Sequence, residues 1–513
     1  MKCREAEMRA STLQTLLHYR LSKAFCQTLV WLAALGAALL AYDPFTPYLL
    51  VIRPWILPIA GALLAVGVLC TWSLAAQWRA RQKPTHSDER SAAIPAHARS
   101  LSTTAQLVEC VVLTGLFTCS AVAIGWQAWT FSNARKLVLT HSSSSPALTT
   151  LGRHFIISYR DFDEAATLTA RGAIAGIYLR SANVQGKTPF QIRTEIMALQ
   201  RLRQRNGLPP LIIAADQEGG AVQHMSPPLP SRPALAQLLV DFPNTLQEEV
   251  ESPHSPKASA DALLAVYAYG AEQGQELRSL GVNLNFGPVT DLTPTNNHPI
   301  TFDTHTQLDR RTLSASPYVV AEATSAYIHG LQHSGVQATL KHFPGLSRTR
   351  SDTHHFSATV EAPTSVLNQT DWIPFRQTMP QAAAIMLGHV TLTDLDPSTP
   401  ASLSARVVSM LRHEWHYQGL FITDDINMGA LYHHFGICES TKRALNAGVD
   451  LVLIAYDSEQ FYPAMACALD ALDRGELQLR QSPKTHQRIA RWFKGSVTIE
   501  ESTPNQQLAS QDA

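Results

Sequence analysis

The sequence predicts an α/β protein: a (β/α)8 barrel of the TIM type preceded by three transmembrane helices. Three observations lead there. Over residues 150–495, eight short apolar runs alternate with longer amphipathic segments. The first 135 residues carry three uncharged stretches long enough to cross a bilayer. Polar residues stand directly after the apolar runs, at the rim where such barrels hold their active sites.

The N-terminal 135 residues come first. Ala24 to Tyr42, Pro54 to Trp78 and Cys110 to Ala134 contain no charged side chain. A hydrocarbon core needs about 20 apolar residues, and three such runs in succession exceed what a cleaved signal peptide provides. They predict transmembrane helices at about 24–42, 54–78 and 110–134. Lys2, Arg4, Arg9, Arg20 and Lys23 precede the first run, and Arg79, Arg81, Lys83, Arg90 and Arg99 follow the second. The positive-inside rule then keeps both flanks in the cytoplasm and delivers everything after residue 135 to the outer side, although Arg135 and Lys136 oppose that orientation. A linker at 136–149, Ser-rich from His141 to Pro146, leads to the barrel at 150–495, and a polar, disordered tail is expected at 496–513.

The eight predicted strands are Phe155–Tyr159, Ile174–Leu179, Leu211–Ala215, Val282–Asn285, Ala338–Lys341, Ala384–Leu387, Leu420–Thr423 and Leu451–Ala455. Helices are expected at Phe190–Arg205, Ala260–Leu280, Tyr318–Ser334 and Ala401–Trp415. Such alternation implies a mainly parallel sheet with crossover helices, and a doubly wound open sheet is the alternative architecture. Met225 to Lys257, rich in Pro, Ser and acid, reads as an irregular surface excursion.

Formal net charge is zero and no long basic block occurs, which removes the electrostatic basis for a nucleic-acid partner. None of the 7 cysteines has zinc-ligand spacing; Cys438 and Cys467 are read as two buried thiols, with pairing as the alternative.

Chemistry gathers at the run ends. Asp424-Asp425 follows Leu-Phe-Ile-Thr, so Asp424 can act as nucleophile or charge stabiliser while Asp425 caps a helix or holds structure. Asp352-Thr353-His354 follows Lys341-His342-Phe343-Pro344-Gly345 in a loop. A histidine has a reference pKa of about 6.5 and exchanges protons either way near neutrality, and a carboxylate beside it orients the ring. The pair therefore suits a general acid/base; a solvated polar loop is the competing reading. Asp216-Gln217-Glu218-Gly219-Gly220 places a carboxylate where it can hold sugar hydroxyls, with glycines free to adopt positive φ. His342, His354, His355 and His389 leave a metal-dependent hydrolase open, since imidazoles at one rim can hold zinc or manganese.

Together these segments resemble glycoside hydrolase family 3, and within it the bacterial β-N-acetylhexosaminidases. The matching stretches are Ala215-Asp-Gln-Glu-Gly-Gly220, Val282-Asn-Leu-Asn-Phe286, Lys341-His-Phe-Pro-Gly345 with Asp352-Thr-His354, and Thr423-Asp-Asp-Ile-Asn-Met428. The resemblance implies a retaining glycosidase that removes terminal, non-reducing β-linked N-acetylglucosamine from cell-wall fragments or related glycans, without metal or cofactor. It assigns Asp424 as nucleophile, His354 as acid/base and Asp352 as its orienting partner. Asp216, Arg311, Lys341, His342 and His389 become substrate-binding residues. With the membrane helices, the expected location is the bacterial inner membrane, multi-pass, with the catalytic domain extracytoplasmic. Ala221 and Leu346-Ser347-Arg348 depart from the family pattern. They motivate two further readings: a different sugar specificity, or an inactive, membrane-anchored glycan-binding protein.

Overall fold

The computed structural model describes residues 27–28, 30–82, 96–140, 146–239, 260–294, 305–479 and 482–495. It divides into two compact units, Met1–Asn133 and Ala134–Ala513. The predicted tail, the loop residues 83–95 and the tether residues 141–145 lie outside the described residues.

In the second unit every predicted strand forms. We number them β1 (Phe155–Ile157), β2 (Gly176–Leu179), β3 (Ile212–Ala215), β4 (Leu284–Asn285), β5 (Gln337–Phe343), β6 (Ala384–Leu387), β7 (Leu420–Asp425) and β8 (Leu451–Ile454). They pair in chain order and close into a barrel, β1 lying parallel to β8 with Phe155 opposite Val452. All barrel pairings are parallel, and the β1–β8 pairing that closes the sheet excludes the open-sheet alternative.

Strand periodicity sorts the core into two layers. Ile156, Tyr178, Ile212, Ala214, Leu284, Met386, Leu420, Ile422 and Leu453 pack together in the barrel interior. Their neighbours Phe155, Ile157, Ile177, Ile213, Leu340, Ile385, Phe421 and Val452 face the helical ring. The helices include α1 (Pro189–Arg205), α2 (Ala260–Leu280), α3 (Pro317–His333), α4 (Trp372–Thr378), α5 (Gly429–Ala447) and α6 (Phe461–Asp473). Pro189 at the start of α1 follows Thr188, whose hydroxyl accepts from Gln191 N–H, a capping box that fixes where the helix begins. A final helix, Ser482–Gly495, sends Ile489 and Trp492 into the interior cluster.

Three expectations change. The helix foreseen over Ala401–Trp415 is broken into a 3-10 turn (Ala401–Leu403), a short helix (Ala405–Ser409) and a π turn (Met410–Glu414). The cause is Ser404, whose hydroxyl accepts from Val407 N–H and donates to Asp396, restarting the chain as a new N-cap. Met225, Leu229, Leu235 and Leu239 of the supposed surface excursion are buried in the outer core layer; residues 240–259 lie outside the described residues. Cys438 is exposed and Cys467 half-buried, and they form a disulfide across α5 and α6 with Cα atoms 5.6 Å apart.

In the first unit, one of the three predicted crossings stands as a helix long and apolar enough to span a bilayer, Val108–Thr140. The other two fall in shorter apolar stretches, Val30–Tyr42 and Arg53–Leu69. Large apolar side chains nevertheless face outward throughout this unit, among them Leu39, Trp55, Leu69, Trp72, Val111 and Trp126.

Candidate active site

The inward parity of the strands carries straight to the rim. Asp216 continues the interior positions Ile212 and Ala214, Lys341 continues Thr339, and Asp424 continues Leu420 and Ile422. Three charged side chains from β3, β5 and β7 therefore enter one barrel mouth.

On the β3–β5 side the charges form a closed network. Lys341 Nζ lies 2.5 Å from both Asp216 Oδ1 and Glu218 Oε1. Glu218 accepts two further bonds from Arg311, at 2.9 Å from Nε and 2.8 Å from Nη2, the paired geometry that suits a guanidinium. Arg311 Nη1 donates to Thr306 O, leaving two of its five N–H groups for a ligand. Tyr178, stacked on Phe286, donates to Asp216 Oδ2 at 2.5 Å. Burial works against the Glu218 charge, but Arg311 and Lys341 outweigh it and hold the carboxyl well below its usual range. Burial likewise opposes the Lys341 ammonium, and Asp216 and Glu218 raise its pKa in spite of it. Gly219 and Gly220 sit at φ 89° and 61°, as their position in a tight hairpin requires; a Cβ on Gly219 would meet the Tyr269 hydroxyl at 2.0 Å.

On the β7 side, Asp424 is half-buried and accepts the Asp425 N–H at 2.8 Å. Burial alone would raise its pKa; the imidazoles of His342, His389 and His354 around it prevail and lower it. Asp425 does separate work. It accepts from Asn427 N and Nδ2, Ala455 N and Tyr456 N, joining the end of β7 to the end of β8. Burial pushes its carboxyl up to about 6 despite those donors.

Asp352 is fully buried in the loop after β5. Its Oδ1 accepts from His354 N (2.9 Å), His354 Nδ1 (2.8 Å) and Thr306 Oγ1 (2.8 Å), and its Oδ2 from His305 N (3.1 Å). Burial disfavours the charge, but the His354 and Thr306 bonds keep the carboxyl far below its usual range. The dyad is attached to the Asp424 side: Gly429 N donates to His354 O at 2.8 Å and Ala430 N to Thr353 O at 3.2 Å. Both donors belong to the first turn of α5, which follows Asp424 by a few residues.

Of the expected binding residues, Asp216, Lys341 and Arg311 meet in one network, and His342 and His389 adjoin Asp424. His342 Nδ1 lies 2.8 Å from Asp291 Oδ2. His389 is buried with Nδ1 on Ser402 Oγ (2.8 Å) and Nε2 on Asp425 O (2.9 Å). Nε2 donates to the Asp425 carbonyl and Nδ1 is engaged by Ser402, so neither ring nitrogen remains for a sugar. Arg180, Asn285 and Asp425, which also end apolar runs, likewise tie strand ends together. The departures at Ser347 and Arg348 do not line the dyad: both side chains bond to Asp371 at the start of α4, and Leu346 is buried. The residues missed in the sequence are Glu218 as charge partner, Tyr178, Asp291 and Thr306. The only signal for Glu218 was its place beside Asp216.

Residues 148–492 match the family model described as the glycosyl hydrolase family 3 N-terminal domain. Over 349 residues the chain is 30% identical to the beta-hexosaminidase A of Pseudoalteromonas piscicida, covering 64% of this chain and 54% of that protein. It is 31% identical over 286 residues to the beta-hexosaminidase of Xanthomonas euvesicatoria pv. vesicatoria, covering 55% and 77%. Among solved structures it superposes on a family 3 β-N-acetylglucosaminidase from Paenibacillus sp., with a TM-score of 0.59 and 25% identity over 70% of this chain and 65% of that one. The chain thus spans about half the length of the Pseudoalteromonas relative.

Proposed function

The chain belongs to glycosyl hydrolase family 3, and from that premise we propose that it is a retaining glycosidase that removes terminal β-linked N-acetylglucosamine from glycans. The observation that carries this reading is the Asp352–His354 dyad, bonded at 2.8 Å and docked by its backbone on the segment that follows Asp424. The beta-hexosaminidase relatives support the choice of sugar.

In the first step an Asp424 oxygen attacks the anomeric carbon while His354 donates the proton on Nε2 to the departing oxygen, so the glycosidic C–O bond breaks as the ester bond forms. In the second, Nε2 takes a proton from water, the hydroxide displaces Asp424 from the same carbon, and the sugar leaves with its original configuration. Asp352 holds Nδ1 and compensates the imidazolium. Asp216, Lys341, His342 and Arg311 are assigned to the sugar, and His389 to positioning the Asp424–Asp425 turn.

The test is a panel of aryl β-glycosides carrying N-acetylglucosamine, glucose and xylose, with the first product read by NMR. Fastest release from the N-acetylglucosaminide with a β product is expected. Faster turnover of the glucoside or xyloside would sink the sugar assignment, and an α product the mechanism.

We further infer that the first unit anchors the enzyme in the bacterial inner membrane with the catalytic unit on the outer side. The Val108–Thr140 helix and the outward apolar side chains support an anchor, and the Cys438–Cys467 disulfide suits an oxidising compartment. Three crossings are the finer reading. Reporter fusions after Tyr48 and after Thr140 separate the cases: three crossings place both outside, one crossing only the second.

A further inference from the structure

One residue bonds to both halves of the barrel mouth. Thr306 lies on the connection from β4 to β5 and is 3% exposed. Its carbonyl oxygen accepts from Arg311 Nη1 at 2.8 Å. Its hydroxyl donates to Asp352 Oδ1 at 2.8 Å, and its N–H lies 3.5 Å from Asp352 Oδ2. Arg311 is the guanidinium paired with Glu218, and Asp352 is the carboxylate that holds His354 Nδ1. The recognition network and the reactive dyad thus meet in a single buried residue.

The join is short and fixed. Arg311 follows Thr306 by 5 residues, and between them the chain turns at Gln307, with φ 40° and ψ 48°, into the helical turn Leu308–Arg311. A residue other than glycine rarely adopts this left-handed conformation, which persists where neighbouring bonds over-determine it. The Arg311–Thr306 bond closes the turn, and the Thr306–Asp352 bonds anchor it to the dyad. Two of the donors on Asp352 Oδ1 come from His354 itself. The Thr306 hydroxyl on Oδ1 and His305 N on Oδ2 come from a different segment, so they set the carboxylate against the Arg311 side of the mouth.

We propose that Thr306 is a positioning residue that couples sugar recognition to acid catalysis. A sugar held by Arg311 steadies the turn. The Thr306 hydroxyl then fixes Asp352, and with it the His354 ring, in line with the departing oxygen. In this role Thr306 needs no contact with the sugar or the reacting atoms. The coupling rests on the proposed glycosidase mechanism.

The test uses the full-length, detergent-solubilised protein and kcat/KM, which reports the step that expels the leaving group. Thr306→Val removes the hydroxyl and keeps the carbonyl. It should lose at least ~10-fold on the phenyl β-N-acetylglucosaminide and no more than about twofold on the dinitrophenyl one, whose departure needs no proton. Thr306→Ser should keep both within about twofold, and inhibition by free N-acetylglucosamine should stay within about twofold in each variant. Thr306→Ala, which removes the hydroxyl without placing a methyl there, should repeat the Val pattern, so that a packing fault in one variant does not decide the outcome. In an Arg311→Lys background the loss from Thr306→Val should be at least ~3-fold smaller. Equal losses on both leaving groups, or none, overturn the positioning role; an undiminished loss beside Arg311→Lys overturns the coupling. A parent inactive on every glycoside defeats the glycosidase reading and the coupling together, whereas an active parent matched by the Val and Ala variants defeats the coupling alone.

Discussion

The two sides of the barrel mouth hold similar residue types in opposite states. Between β3 and β5, Glu218, Lys341 and Arg311 have side chains 6%, 3% and 8% exposed, and two cations balance two carboxylates at bonding distance. Between the β5 loop and β7, a buried carboxylate supports a His354 ring that is 37% exposed, on a loop attached through two backbone bonds to α5. The first arrangement is saturated and changes charge only at great cost. The second leaves its ring at the edge, open to the barrel mouth. Under the proposed mechanism the contrast separates groups that recognise a ligand from groups that react with it.

Substitutions can break this contrast, and the largest effect is expected on the reactive side. Asp424→Asn should lower kcat by roughly 10⁴–10⁶-fold, the range seen when a nucleophile is lost, with a circular dichroism spectrum like the parent's. Retention of parental turnover would remove Asp424 from the mechanism. Next, His354→Ala should cost about 10²–10⁴-fold. The loss should shrink on aryl substrates whose leaving group needs no proton; an equal loss on all leaving groups would deny His354 the acid role. Asp352→Asn should cost less, about 10–100-fold, because it acts through His354.

The smallest effect on chemistry, and the largest on stability, belongs to the saturated side. Glu218→Gln leaves Lys341 and Arg311 with one carboxylate, and the stranded charge should cost about 3–5 kcal/mol, read as a lower Tm or denaturation midpoint. The pH dependence follows from sign. Glu218 is held in the fold below its ordinary value of 4.5, so its stabilising contribution is complete above that pH and is lost as pH falls below it. The parent should lose stability steeply below about pH 4.5 and Glu218→Gln more gently. Parallel pH profiles would show that the network does not stabilise the fold.

Legibility in the sequence followed the range of the interactions. The eight strands were readable because each is a local apolar run, and α1 to α3 because each is a long amphipathic segment between two such runs. Asp424 stood out because an acidic pair ends an apolar run, and Asp352 and His354 because a carboxylate lies two residues before an imidazole in the loop after another. Glu218 was not identified as a partner because Arg311, 93 residues away, and Lys341 reach it only in the closed barrel. His389 was legible as a rim residue but not in its role, which depends on Ser402 and the Asp425 carbonyl. The helix expected over Ala401–Trp415 failed at Ser404, where a local hydroxyl competes with the helical bonds. The cysteine pair needed α5 and α6 to be packed side by side.

Barrel closure also bears on how this chain folds as it is made. Phe155 in the first strand waits for Val452 in the last, and Asp450, just before β8, waits for Thr485 and Arg488 of the final helix. A chain emerging from its N-terminus therefore holds up to seven strands while the free edges of β1 and β7 remain open to mispairing. A chain halted before residue 485 leaves the Asp450 carboxylate without two of its donors. The chain is most exposed to mispairing during the last tenth of its synthesis, when nearly all the sheet exists and its seam is still open.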